Sequence, residues 1–334
     1  MWTAYAAFCK GVKRLFIGRS QLAEKLILLF AEPCFAVSKG RRMPGKVGVL
    51  GLGIMGGAMS ANLVERGWQV IGFDPDPARA AEATANGVHV VATIAEVARE
   101  APFIITSLPN PAVAMSVARD LAASGAPSRI VVETSTLRLE DKSEFHDALA
   151  AAGHIALDCP LSGTGAQARN RDLVVYASGD TESIAKAMPL FSDFARSAVD
   201  LGAFGNGSKM KFIANHLVAI HNVATAEAMV LGMKAGLDPQ QIIEVISAGA
   251  GNSRVFELRA PLMAEKRYDP PTMRIATWKK DLDVIGAYAG DLGVPLPVFD
   301  ATLPVYTAAK SMGYGGQDTG SVCAVLEKMA GLER

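Results

Sequence analysis

The sequence predicts a doubly wound α/β domain followed by an all-α domain, the two joined by one long helix. Three observations carry this. From Lys46 to about Leu201, short apolar, β-branched-rich segments alternate with stretches of helical period. A glycine-rich turn lies directly between the first strand-like segment and the first helical one. Beyond Gly205 only the helical period remains. Strict alternation of strand and helix calls for crossover connections, and hence a parallel sheet covered on both faces.

Lys46 to Leu50 reads as the first strand, followed by Gly51-Leu52-Gly53-Ile54-Met55-Gly56 and a helical run to Gly67. Gln69 to Phe73 is the second strand, ending at Asp74-Pro75. Val88 to Val91, Phe103 to Ser107, Arg129 to Val132 and Ile155 to Leu157 supply four more. Leu173 to Ala177 and Ala198 to Leu201 are expected to extend the same sheet. Gly207 to Ala235 reads as one helix stopped by Gly236 in a C-terminal capping position. Asp238-Pro239 then starts another, with Asp as cap and Pro at the first position. The helical remainder is expected to break at Pro261, Pro270-Pro271, Pro295, Pro297 and the glycines from Gly313 to Gly316. The expected division is a Rossmann-type dinucleotide domain over 43–204 and an all-helical substrate and oligomerisation domain over 205–334.

Residues 1–42 stand apart, with eight Lys and Arg against Glu24 and Glu32 only. This extension is expected to be disordered or to lie upstream of a true start at Met43, the alternative being a transit peptide to the mitochondrial matrix. The expected compartment is otherwise cytoplasmic. The whole chain carries 33 basic and 33 acidic residues, which gives no electrostatic case for nucleic acid or a charged membrane. No apolar run approaches the roughly 18 residues of a spanning helix. Cys9, Cys34, Cys159 and Cys323 are scattered, so neither a disulfide framework nor a metal site is expected.

The glycines of the first turn have distinct jobs. Gly51 permits a tight turn, Gly53 lets the backbone approach a pyrophosphate, and Gly56 allows close packing of helix on strand. Asp74, at the end of the next strand, is placed to bond a ribose 2′-hydroxyl and repel a 2′-phosphate. That points to NAD; the nearby Arg79 keeps NADP open. Ser107-Leu108-Pro109-Asn110 and Glu133-Thr134-Ser135-Thr136 fall at carboxyl ends of parallel strands, where such folds bind ligands. Ser162-Gly163-Thr164-Gly165 offers hydroxyls and open N–H groups suited to a carboxylate. In the long helix Lys211 and Asn215 are one turn apart on one face, with Asn222 near the same stripe. Met210, Phe212, Ile213 and Leu217 surround that lysine with apolar side chains, and burial lowers a lysine toward the range of a useful base. An isolated lysine at a helix start is more often simply solvated. His154, His216 and His221 read as packing or surface residues.

Together these segments resemble the β-hydroxyacid dehydrogenase family, which includes 3-hydroxyisobutyrate dehydrogenase and tartronate semialdehyde reductase. The matching stretches are GLGIMGGAMSANL from Gly51, DCPLSGTGAQA from Asp158, GNGSKMKFIAN from Gly205, WKKDLDVIGAYAGDLGVPLP from Trp278 and GYGGQDTGSV from Gly313. The resemblance implies that Lys211 is the acid/base and Asn215 its polar partner. It implies that Ser162, Gly163 and Thr164 hold the substrate carboxylate. It further implies that Leu108, Pro109, Thr136 and Lys280 lie on the nicotinamide side. The substrate would be a small hydroxy acid, of the 3-hydroxyisobutyrate or semialdehyde type, and the assembly a homodimer or homotetramer. Two alternatives follow: an NADPH-dependent glyoxylate or succinic semialdehyde reductase, and a catalytically silent dinucleotide-binding sensor or scaffold. Thr164, Ala214 and the Arg169-Asn170-Arg171 segment depart from the family's pattern, and bear on substrate more than on reaction.

Overall fold

The computed structural model describes residues 44–334; the basic extension at 1–42 lies outside the described residues. Six strands form one parallel sheet in the order β3-β2-β1-β4-β5-β6. They are β1 (Lys46–Leu50), β2 (Gln69–Phe73), β3 (His89–Val90), β4 (Phe103–Thr106), β5 (Ile130–Glu133) and β6 (Ile155–Asp158). The crossovers are α1 (Ile54–Glu65), α2 (Pro77–Ala85), α3 (Ile94–Glu100), α4 (Pro111–Ala122) and α5 (Leu139–Ala151). Each central strand is apolar on both faces. Val47 and Val49 face one core with Met59 and Leu63 of α1, while Leu50 and Ile104 face another with Val97, Leu121 and Phe145. The strand order reverses between β1 and β4, opening a crevice at their carboxyl ends.

Leu173 to Ala177 and Ala198 to Leu201 do not extend that sheet. A second sheet forms from β7 (Leu161–Ser162), β8 (Val174–Ala177) and β9 (Ser197–Asp200), with β7 antiparallel to β8. An isolated bridge, Asp158 to Ser178, reaches back to β6. Pro160 has no N–H to donate, so the ladder stops there and the chain turns into a fresh edge. The helix α6 (Gly165–Arg169) follows β7, and α7 (Thr181–Phe194) covers the second sheet with Leu190, Phe191 and Phe194.

The long helix is α8 (Asn206–Lys234), and Gly236 ends it with φ 86°, donating to Met233 O while Leu237 donates to Gly232 O. That closure satisfies the last carbonyls, as the glycine's position suggests. The helices α9 (Pro239–Ser247), α10 (Arg254–Ala264), α11 (Ile275–Asp291), α12 (Pro297–Ser311) and α13 (Val322–Met329) pack around α8. Asp238 caps α9 by accepting from Gln240 N and Gln241 N. The break expected at Pro261 does not occur, and the residue lies inside α10. Phe256, Ala260 and Met263 are buried against α8 there, and this packing outweighs the lost hydrogen bond. Among the described residues no helix is long and apolar enough to cross a membrane.

Candidate active site

The crevice at the sheet's switch point opens into a cleft of about 1400 Å³ that reaches the helical layer. At the glycine turn the geometry demands glycine. Gly51 has φ 90°, and a Cβ there would sit 2.3 Å from Ser107 O. A Cβ on Gly56 would sit 1.8 Å from Gly51 O, so helix and turn touch through bare backbone. At Gly53 the demand is weaker, since a Cβ would meet only the movable end of a side chain, Arg79 Nη1 at 2.7 Å. Gly53 caps α1 without a side chain, and the first turn holds no acidic residue. Its free N–H groups and dipole therefore face the cleft as an anion site. A dinucleotide pyrophosphate fits that cradle.

Asp74 Oδ2 accepts from Leu52 N at 2.7 Å and Oδ1 from Asp76 N at 2.9 Å. In this state the carboxylate braces the glycine turn, with Arg79 beside it on the cleft wall. Gly51, Gly53, Ile54, Met55, Asp74, Leu108, Pro109, Thr136 and Lys280 all line the cleft. Leu52 is buried beneath the turn and Gly56 is packed into it, so neither is part of the wall.

Lys211 also lines the cleft, from the second turn of α8, and is 9% exposed. Burial pushes its ammonium below the ordinary lysine range; Asp281 pulls the other way, and Lys280 adds to the lowering. Asn215 lies one turn on, yet outside the wall. Its Nδ2 donates to Asp281 Oδ2 at 3.0 Å, so it steadies the carboxylate that faces the lysine. Lys280 donates to Thr136 O and lies 3.3 Å from Asp281 Oδ1, tying α11 to the loop after β5. Asn222 does not join this group: it is buried in the helical core, bonded to Tyr306 Oη and Thr319 O.

Gly163 and Thr164 reach the cleft, whereas Ser162 sits in β7 paired with Val174 and is not part of its wall. Thr164 N and Oγ1 are both directed at Gln167 Oε1, starting α6. Gly163 holds φ 137°, which favours glycine. Arg169 and Asn170 are exposed, and Arg171 pairs with Glu65. His154 is buried in packing, with ring nitrogens on Arg129 N and Leu121 O. Cys159 and Cys323 are buried free thiols, and burial raises both. Among the described residues no cluster of His, Cys, Asp and Glu is arranged to hold a metal.

Asp281 is the residue that sequence reasoning missed. Its one signal was its place after Lys280 in the Trp278 segment. The partner that reveals it, Asn215, lies 66 residues away.

Comparison with known proteins agrees with this geometry. Residues 46–203 match the family model for the NAD-binding domain of 6-phosphogluconate dehydrogenase. Residues 205–326 match that for the NAD-binding region of NADP-dependent 3-hydroxyisobutyrate dehydrogenase. A probable 3-hydroxyisobutyrate dehydrogenase of Mycobacterium tuberculosis is 32% identical over 78% of this chain and 90% of its own length. Glyoxylate/succinic semialdehyde reductase 1 of Arabidopsis thaliana is 30% identical over 84% and 98%. The solved structure of the Mycobacterium tuberculosis 3-hydroxyisobutyrate dehydrogenase with L-serine superposes with a TM-score of 0.77, at 31% identity over 85% of this chain and 99% of that one. The chain belongs to the β-hydroxyacid dehydrogenase family of NAD(P)-dependent oxidoreductases acting on CH–OH donors.

Proposed function

We propose that the enzyme interconverts a small 3-hydroxy acid and its carbonyl partner, with Lys211 as the acid/base. The observation that carries this reading is one buried amine on the wall of a cleft whose other wall is the glycine cradle. When bound, the nicotinamide supplies the hydride acceptor or donor. In the oxidation direction Lys211 Nζ, in its neutral form, takes the substrate hydroxyl proton as the C–H hydride leaves. In reduction the protonated amine returns that proton to the carbonyl oxygen. Asp281 faces the amine and is held by Asn215, which makes Asn215 a support for the site.

The substrate carboxylate is assigned to the Ser162–Thr164 turn. Because Thr164 is engaged with Gln167 and Ser162 lies outside the cleft wall, the open Gly163 backbone is the group of this turn left to hold it. L-serine, present in the Mycobacterium structure, carries a carboxylate and a hydroxyl in this same relation, which favours a 3-hydroxy acid. The Arabidopsis relative acts on glyoxylate and succinic semialdehyde by its name, and a reductase of that type is the second reading. Arg79 beside Gly53 favours it, since a guanidinium there suits a 2′-phosphate. We further propose a domain boundary at 204/205 and a homodimer or homotetramer.

The test is Lys211→Ala, assayed in both directions on C3 to C5 hydroxy acids and their carbonyl forms with NAD and NADP. Turnover should fall about 10²–10⁴-fold, while the reduced cofactor still binds with near-parental affinity by fluorescence titration. Undiminished kcat would remove Lys211 from the reaction. Parental preference for NADPH and a semialdehyde would select the second reading.

A further inference from the structure

Behind the cleft lies a buried charge cluster that the chemistry above does not use. Glu133 ends β5 and Asp158 ends β6, and the parallel register sets them side by side. Lys142 of α5 inserts its ammonium between them: it pairs with Glu133 and lies 3.0 Å from Asp158 Oδ1. All three are fully buried, and none lines the cleft. Burial opposes the charge on Lys142, yet the two carboxylates more than offset it and hold the amine above its ordinary range.

Each carboxylate also reaches toward a different part of the site. Glu133 Oε1 accepts from Ser135 N at 2.9 Å, and Ser135 Oγ accepts from Leu108 N at 2.8 Å. That is the nicotinamide-side loop. Asp158 Oδ2 accepts from Ser208 N at 2.7 Å, and Oδ1 from Ser208 Oγ at 2.8 Å. Ser178 Oγ accepts from Gly207 N at 2.9 Å and donates to Asp158. The start of α8 has no side-chain cap of its own, because Gly205 precedes it. A carboxylate borrowed from β6 therefore caps the helix that carries Lys211, where the helix dipole favours an anion. Ser208 lies three residues before Lys211, on the adjoining turn.

We propose that Lys142 is a positioning residue that joins these two arms, so that the cofactor loop at Leu108 and the first turn of α8 hold one register across the cleft. A buried ionic trio is an inefficient way to gain stability, since desolvation offsets most of the attraction. What it supplies is a fixed side-chain geometry: on two strands already in register, a single ammonium links the carboxylate that holds the Leu108 loop to the one that holds the start of α8. The inference rests on Lys211 being the acid/base.

The experiment compares Lys142→Met with the double variant Lys142→Met/Glu133→Gln. The single change leaves two buried carboxylates without their cation and is expected to lower Tm, or to prevent folding. The double change removes one charge of each sign and leaves Asp158 with its Ser208 and Ser178 donors, so stability should recover. At position 133 the new amide oxygen still accepts from Ser135 N, while the ionic tie between the two arms is cut.

The inference predicts that kcat of the double variant stays down about 10–100-fold, the scale of a small misplacement of reacting groups. It also predicts that the pH midpoint of oxidation moves up toward that of a solvated lysine, as the first turn of α8 loosens. A purely stabilising role would move neither quantity once the protein is folded. Parental kcat and an unmoved pH midpoint in the folded double variant would overturn the inference. If Lys211→Ala abolishes turnover while the double variant behaves as the parent, only the coupling fails; if Lys211→Ala is active, the underlying assignment fails first.

Discussion

Lys211 is held by opposing forces that give it a readable pH signature. Burial lowers its affinity for a proton, Lys280 lowers it further, and Asp281 raises it. With Lys211 as the proposed acid/base, oxidation would need the neutral amine, so its rate should climb with pH through a midpoint below the ordinary lysine value of about 10.4. On the same proposal reduction would need the ammonium and should fall through the same midpoint. Asp281→Asn removes the one raising influence, so both midpoints should move to lower pH, measured as pH profiles of kcat/KM in the two directions. An upward or absent movement would show that the amine does not sense this carboxylate. The same depressed value has a consequence for folding. Between the folded and unfolded values the unfolded chain binds more protons, so this residue's contribution makes stability rise with pH across that window. The burial of Lys211 was not legible from its neighbours: Met210, Ile213 and Leu217 are exposed on another face of α8 and only Phe212 is buried, so the residue was singled out by the family resemblance. Asp281 was not, because only the folded packing of α11 on α8 brings it to Asn215.

The glycines show at the scale of elements which constraints are sharp and which are slack. A methyl on Gly56 would lie 1.8 Å from Gly51 O, so α1 and the glycine turn must separate. Gly56→Ala is expected to weaken cofactor binding at least about tenfold, a loss of roughly 1.4 kcal/mol, and to lower Tm. Gly286 gives the reverse outcome. It is exposed within α11, and a Cβ there meets nothing within 4 Å. Gly286→Ala should therefore stabilise by about 0.5–1 kcal/mol, read as a shift in the denaturant midpoint with unchanged slope. The parallel sheet and the Gly236 stop were legible because each rests on a local pattern. The second sheet was not. Two-residue β7 is too short to show a period, and its pairing with β8 depends on where Pro160 ends the ladder. Pro261 misled for a related reason: its local preference is real, but burial of α10 against α8 overrides it.

At the scale of the whole molecule, an apolar stripe is exposed along α8 among the described residues. Met210, Ile213 and Leu217 recur at helical spacing on α8, and Leu231 continues them; all four are exposed among the described residues. Leu237 and Val245 of the adjoining segment are exposed as well. A stripe of this kind on a chain of formal net charge zero has no long-range repulsion to keep two copies apart. A symmetric pair could lay the stripes of two α8 helices against each other, so that each copy supplies the same residues to the contact. The parent is therefore expected to sediment as a dimer or tetramer at micromolar concentration. Ile213→Asp/Leu217→Asp places two carboxylates in the middle of that contact and should shift the population to monomer. These positions point away from the buried face that holds Lys211 and Asn215, so the far-UV circular dichroism of the variant should match the parent. A parent that sediments as a monomer, or a variant whose mass is unchanged, would mean that the stripe is not the contact between copies.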